Sequence, residues 1–203
     1  METGSKGDGR GATVERRTGE TAIVVELGLD GTGMSAIDTG IGFLDHMLVA
    51  FARHALIDLT VKAEGDLHVD FHHTTEDVGI VLGQAVARAL GEKRGVRRYG
   101  HAAVPMDEAL VEAAIDLSGR PFFAWRVAFR HDKIGEIDTE LFEEFFRALA
   151  TNGLMALHIT QRAGSNDHHV AEACFKATAR ALRAAVEPDP RAGAAIPSTK
   201  GAL

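Results

Sequence analysis

Apolar and polar residues alternate at period two through TAIVVELGLDGTG (21–33), which predicts a strand running into an Asp-Gly turn. The spacing then lengthens. Phe43, Met47, Ala50 and Phe51 recur at helical intervals in IGFLDHMLVAFARHA. LIDLTVKA returns to strand, and TTEDVGIVLGQAVARALGEK reads as a long amphipathic helix whose Thr, Glu and Asp start suits capping and the helix dipole. After a basic turn, RGVRRYG, the same order comes round again. ALVEAAIDLSGR repeats the frame Glu-x3-Asp, with Glu26, Asp30 and Gly33 matched by Glu112, Asp116 and Gly119. TELFEEFFRALATNG predicts a helix with Leu141, Phe145 and Leu149 on one face, LMALHITQ a strand, and VAEACFKATARALRAAV a second long helix.

A pattern that recurs in order points to a tandem duplication. The expected fold is α+β: two duplicated half-domains, each a small mixed or antiparallel sheet with helices on one face, packed together as a sandwich. The expected boundaries are a flexible N-terminal arm over 1–19, half-domains over 20–100 and 101–186, and a polar, Pro/Gly-rich tail over 187–203. A net charge of -7 speaks against a nucleic-acid partner, although local basic clusters can still serve a small anion. No apolar run reaches the ~20 residues of a membrane span, and the first nineteen residues lack the apolar stretch of a signal peptide. The single cysteine, Cys174, has no partner for an internal disulfide. Together these features predict a soluble cytoplasmic protein without a membrane partner.

The candidate chemistry lies in a smaller repeat. FHHTTED (71–77) and DHHVAEA (167–173) each carry His-His-x-x-Glu. Imidazole and carboxylate donors without cysteine suit a divalent ion such as Mn, Fe or Zn. At a helix start, positions i and i+4 share a face, so His72 with Glu76 forms one pair and His168 with Glu172 another. His73 and His169 point roughly a quarter turn away, and a pseudo-twofold would let each reach the opposite ion. That yields His72, Glu76 and His169 for one ion, and His168, Glu172 and His73 for the other. Fourth ligands are expected from the shorter helices: His46 in LDHM, and its repeat counterpart Glu144 in FEEFF, assigned to the His72 ion.

The chain resembles the imidazoleglycerol-phosphate dehydratase family of histidine biosynthesis. The likeness runs from Glu20 to PSTKGAL and rests on DGTG, DTGIGFLDHML, HHTTED, PMDEAL, DLSGRP, LHI, HHVAEACFKA and STKG, in order. It implies a duplicated half-domain fold, two Mn(II) ions per active site, and an octahedral 24-subunit cage with active sites at subunit contacts. The ligands paired above within one chain would then be shared between neighbours. The implied reaction removes water from D-erythro-imidazole-glycerol phosphate to give imidazole-acetol phosphate, with the ring held as imidazolate and a diazafulvene-like intermediate.

The resemblance also implies roles for residues that otherwise read as surface charge. Glu20 matches the catalytic acid/base, and His54 a substrate-lining position. Arg98, Arg120, Lys176, Ser198 and Lys200 match phosphate-binding positions, where guanidinium forks and ammonium groups suit a dianion. Two positions depart from the pattern: many members carry His at the place of Glu144 and Gln at the place of Ala50. Two other readings remain open on residues alone. One is a dimetal hydrolase or phosphatase with a bridging hydroxide; the other is a non-enzymatic, metal-binding cage.

Overall fold

The structure, a computed structural model, describes residues 9–201. The first half contains β1 (Gly11–Arg17), β2 (Thr21–Gly28), β3 (Ser35–Asp38), α1 (Gly42–Ala55), β4 (Asp58–Gly65) and α2 (His72–Leu90). The second contains β5 (Tyr99–Met106), β6 (Ala109–Asp116), β7 (Phe122–Arg126), a small hairpin of β8 (Lys133–Ile134) and β9 (Ile137–Asp138), α3 (Glu140–Asn152), β10 (Ala156–Ala163) and α4 (Asp167–Val186). The expected α+β duplication is plain in the sheets. Their strand orders are β1-β2-β4-β3 and β5-β6-β10-β7, and in each the third strand of the half is the one parallel member. Register repeats too: Glu26 faces Thr60 as Glu112 faces Thr160.

The flexible arm expected over 1–19 is corrected for Gly11–Arg17, which pair with β2 along their whole length. Alternation does exist there, with Val14 buried and Arg16 turned to the buried Asp77, but the charged residues around it hide the strand. Residues 1–8 lie outside the described part. Both long helices start earlier than their apolar pattern does, so each His-His pair occupies a first helical turn. Asn166 caps α4 by accepting from the backbone N–H of His168 (3.0 Å) and His169 (3.4 Å).

The helices lie between the sheets and exchange partners between halves: α1 packs on α4, and α2 on α3. The α2–α3 contact is close because α2 has glycines where the helices meet. A Cβ on Gly79 would come within 2.6 Å of the Phe145 carbonyl oxygen, and one on Gly83 within 2.7 Å of that of Leu149. Residue numbers rise together along this contact, so the two helices run parallel and their N-terminal ends lie side by side. Phe142, Phe145, Phe146 and Phe175 fill the core at the junction, with the Phe146 and Phe175 rings 4.7 Å apart. Each fully buried ring contributes about 1.5–3 kcal/mol through burial. Leu56 and Leu154 follow α1 and α3 in the left-handed region, at φ 54° and 50°. His46 and Glu144 each stand ten residues before their leucine, so they are structural counterparts.

The polar tail is tied to the segment between α2 and β5. Gly95 donates to Ala195 (2.9 Å), Asp189 donates to Gly95 (2.7 Å), and the Arg98 guanidinium donates to the Pro197 carbonyl (2.8 Å). Among the described residues, no helix is long and apolar enough to cross a membrane.

Candidate metal centre and active site

His46, Ala50 and His54 are spaced by four along α1, and so are His168, Glu172, Lys176 and Arg180 along α4, giving two ladders with rungs about 6 Å apart. Where the helices meet, ligand atoms of His46, His168 and Glu172 lie within 4.8 Å of one another. The Glu172 carboxylate is 3.3 Å from His168 Nε2 and 3.7 Å from His46 Nε2. It is 7% exposed. Burial alone would raise its pKa, but the Lys176 ammonium, 2.7 Å away, together with His46 and His168, outweighs burial and holds it below the usual range. The site thus keeps an anionic oxygen among imidazole nitrogens, the donor chemistry of a borderline divalent ion. Among the described residues no other trio of His, Cys, Asp or Glu converges in this way.

His54 continues the α1 ladder. Burial, followed by the charges of Lys176 and Arg180, pushes its pKa down, so it favours the neutral imidazole. Ala50 lies one turn from both His46 and His54, where its methyl offers no hydrogen bond.

The opposite end is looser. His72 Nε2 and Glu76 are 3.7 Å apart, and both are about two-fifths exposed. Glu144 lies on α3, whose first turns run beside theirs, but its carboxylate is 3.4 Å from Arg147 of its own helix and joins no trio. The second histidines of each pair turn elsewhere. His73 presents Nδ1 to Asp66 (3.0 Å), with its Nε2 3.9 Å from Glu20. His169 presents Nδ1 to Glu108 (2.8 Å), with its Nε2 3.9 Å from Asp107. Within this chain, His73 joins no metal-type cluster with His168, nor His169 with His72, among the described residues.

Glu20 sits at a hairpin tip held from several sides. Thr18 Oγ1 accepts from the backbone N–H groups of Glu20 (3.1 Å) and Thr21 (2.9 Å), and the Glu20 carbonyl accepts from Asp66 (3.1 Å). The Thr21 hydroxyl donates to Asp77 at 2.5 Å, which fastens the tip to α2. Arg98 grips Asp116 with two bonds, 2.7 and 3.1 Å, besides holding Pro197. Arg120 is exposed and bonds its neighbour Ser118; Ser198 accepts from the Lys200 backbone. Of the expected phosphate residues, Lys176 alone is joined to the His46 cluster by an ion pair among the described residues. Sequence reasoning missed Asp66, Asp77 and Glu108. Asp77 and Glu108 stand inside HHTTED and PMDEAL, but nothing in the chain's periodicity marks what they touch.

The profile of one family, Imidazoleglycerol-phosphate dehydratase, matches residues 39–182, the span that carries the cluster and both histidine pairs. The chain belongs to this family. A Granulibacter bethesdensis imidazoleglycerol-phosphate dehydratase is 70% identical over 96% of this chain and 99% of its own length. One from Gluconacetobacter diazotrophicus is 66% identical over 96% and 98%. In three dimensions the chain is similar to the crystal structure of the Staphylococcus aureus dehydratase, with TM-score 0.78 and 39% identity, covering 88% of this chain and 100% of that one. The Pyrococcus furiosus structure, solved as a complex, gives 0.80 and 38%, covering 94% and 100%.

Proposed function

We propose that this chain is a hydro-lyase of histidine biosynthesis that dehydrates D-erythro-imidazole-glycerol phosphate to imidazole-acetol phosphate. The observation that supports this beyond family membership is the His46/His168/Glu172 cluster with Lys176 one helical turn beyond Glu172: metal donors beside a cation suited to phosphate. The dimetal hydrolase and the metal-binding cage are not favoured, because the family match covers the whole ligand-bearing region.

His46, His168 and Glu172 would hold one ion, and His72, Glu76 and Glu144 the second, with His73 and His169 completing sets contributed by neighbouring subunits. We read the ions as two Mn(II), and the assembly as the octahedral 24-mer with active sites at subunit contacts. Bound divalent ions would supply Lewis acidity to the ring nitrogens, easing departure of the hydroxyl on the adjacent carbon. The chain's residues do the rest. Glu20, held at its hairpin tip, exchanges protons with the substrate carbon and the leaving hydroxyl. His54 lines the substrate. Lys176 with Arg98, Arg120, Ser198 and Lys200 binds the phosphate, the last two from the tail that Arg98 moors. The buried thiol of Cys174 suits a reducing cytoplasm.

The test is turnover of imidazole-glycerol phosphate by manganese-loaded protein, compared with Glu20→Gln. The variant should lose at least ~100-fold in kcat while still binding substrate. No turnover by the metal-replete wild type would overturn the reading. A variant altered only in affinity would make Glu20 a binding group.

A further inference from the structure

In each half the second histidine meets a carboxylate at Nδ1: Asp66 Oδ2 at 3.0 Å from His73, and Glu108 Oε2 at 2.8 Å from His169. The two carboxylates are not counterparts in the repeat. Asp66 lies in the loop between β4 and α2, whereas Glu108 lies in the turn between β5 and β6. Duplication would have copied one position into both halves. Here the same contact is reached from two different places in the fold, so inheritance alone does not account for it.

The Glu108 carboxylate is itself fixed, whereas the second oxygen of Asp66, Oδ1, is buried without a hydrogen-bond partner among the described residues. The other oxygen of Glu108 accepts from the backbone N–H groups of Ser165 (3.0 Å) and Asn166 (2.7 Å), where Asn166 is the cap of α4. The backbone N–H of Asp66 donates to Glu20 at the neighbouring hairpin tip. Across each ring, Nε2 makes no hydrogen bond among the described residues; the nearest carboxylates, on Glu20 and Asp107, stand off at 3.9 Å.

We infer that Asp66 and Glu108 are positioning residues for metal capture, each holding its imidazole with Nδ1–H donated to the carboxylate and Nε2 left as the free donor. A carboxylate at one ring nitrogen fixes the tautomer and orientation and raises the basicity of the other nitrogen. The inference rests on the metal reading above and adds to it. The second histidines are set before any ion or neighbouring subunit arrives, although neither lies in the cluster of its own protomer.

Glu108→Gln tests this with little change of shape. The two backbone donors at Ser165 and Asn166 claim the amide oxygen, so the amide nitrogen faces His169 Nδ1 and donates to it. The ring proton must then move to Nε2, which removes the free donor. Manganese retained by the assembled protein, measured by elemental analysis after dialysis at graded free metal, should fall ~10–100-fold in affinity for one ion and hold for the other. The same substitution in a His169→Ala background should cause no further loss, because the ring it positions is gone. Asp66→Ala, with and without His73→Ala, should behave alike for the other ion. Thermal melting of each variant separates a general loss of fold from a loss of donor. Affinity within about threefold of wild type in Glu108→Gln, or an equal drop in the His169→Ala background, would overturn the inference. If His169→Ala alone retained both ions at wild-type affinity, the assignment of His169 as a ligand would fall first, taking this inference with it.

Discussion

The two ends of the helical layer are repeat counterparts, yet they are unequally prepared. At the α1–α4 end, His46, His168 and Glu172 already converge. At the α2–α3 end, His72 and Glu76 sit together while Glu144 is drawn to Arg147. The difference comes from where each half places its cation. Lys176 lies eight residues after His168, and the matching position after His72 is Ile80; Arg147 lies three residues after Glu144, and the matching position after His46 is Val49. At one end the cation supports the buried carboxylate from behind and leaves the ligand atoms facing inward. At the other, Arg147 bonds Glu143 and stands against the Glu144 carboxylate at 3.4 Å. Similar backbone geometry can thus give one end whose donor atoms converge and one whose donors stand apart.

The largest effect should come from dismantling the ready end. Glu172→Ala removes the shared carboxylate and strands Lys176 without its partner. Metal affinity there should fall by more than the ~10–100-fold typical of an outer partner, with turnover lost in parallel. A variant that still held two ions after dialysis would show the convergence to be incidental.

The open end should respond more mildly, and in both directions. Freeing and reordering Glu144 costs about 0.5–1.5 kcal/mol, so a stepwise manganese titration should show the second ion bound up to about tenfold more weakly than the first. Glu144→Ala should remove that second step. Arg147→Met gives up the guanidinium contact on Phe123 and releases the carboxylate, and should tighten the step by a few-fold, since an exposed ion pair contributes only about 0.2–1 kcal/mol. Equal steps in the wild type, untouched by either substitution, would dissolve the contrast between the ends.

The smallest predicted effect concerns the sheets. Asp58 in the first half accepts from the backbone N–H groups of Thr32 and Met34, which lower its pKa from 3.8, whereas the matching register position in the second half is His158, packed on Phe122. A carboxyl with a depressed folded pKa contributes stability that is fully present above its unfolded value. That contribution is lost as pH falls through the lower folded value. Acid titration of the melting temperature should therefore show a modest decline below pH 3.8 that Asp58→Asn flattens. An identical acid profile in the variant would remove Asp58 as a source of that decline.

Much of this layout was legible in the chain. Period-two and helical spacing located β2, α1, β4 and α2 and their copies, because each buries one face. β1 escaped because Glu15, Arg16 and Arg17 crowd its single buried residue, Val14. β7 went unread because Phe122, Ala124 and Ala128 blur the alternation of Phe123, Trp125, Val127 and Phe129, which pack against the core, and β8 and β9 are only two residues each. At the site, i,i+4 spacing paired His72 with Glu76 and His168 with Glu172, and the repeat set His46 against Glu144. The grips of Asp66 and Glu108 could not be read in advance. They join a loop and a hairpin turn to helix starts 7 and 61 residues away, and such contacts leave no periodic trace.

The exchange of helices between halves has a consequence for how the protein can vary. A half-length chain could build such an end only by pairing with a second copy, each lending its short helix to the other's long one. The pairing would then depend on concentration, and a single codon would set the short-helix ligand at both ends. Within one chain the encounter is intramolecular and independent of concentration. The two codons are also separate, so one end can carry the imidazole of His46 while the other carries the carboxylate of Glu144.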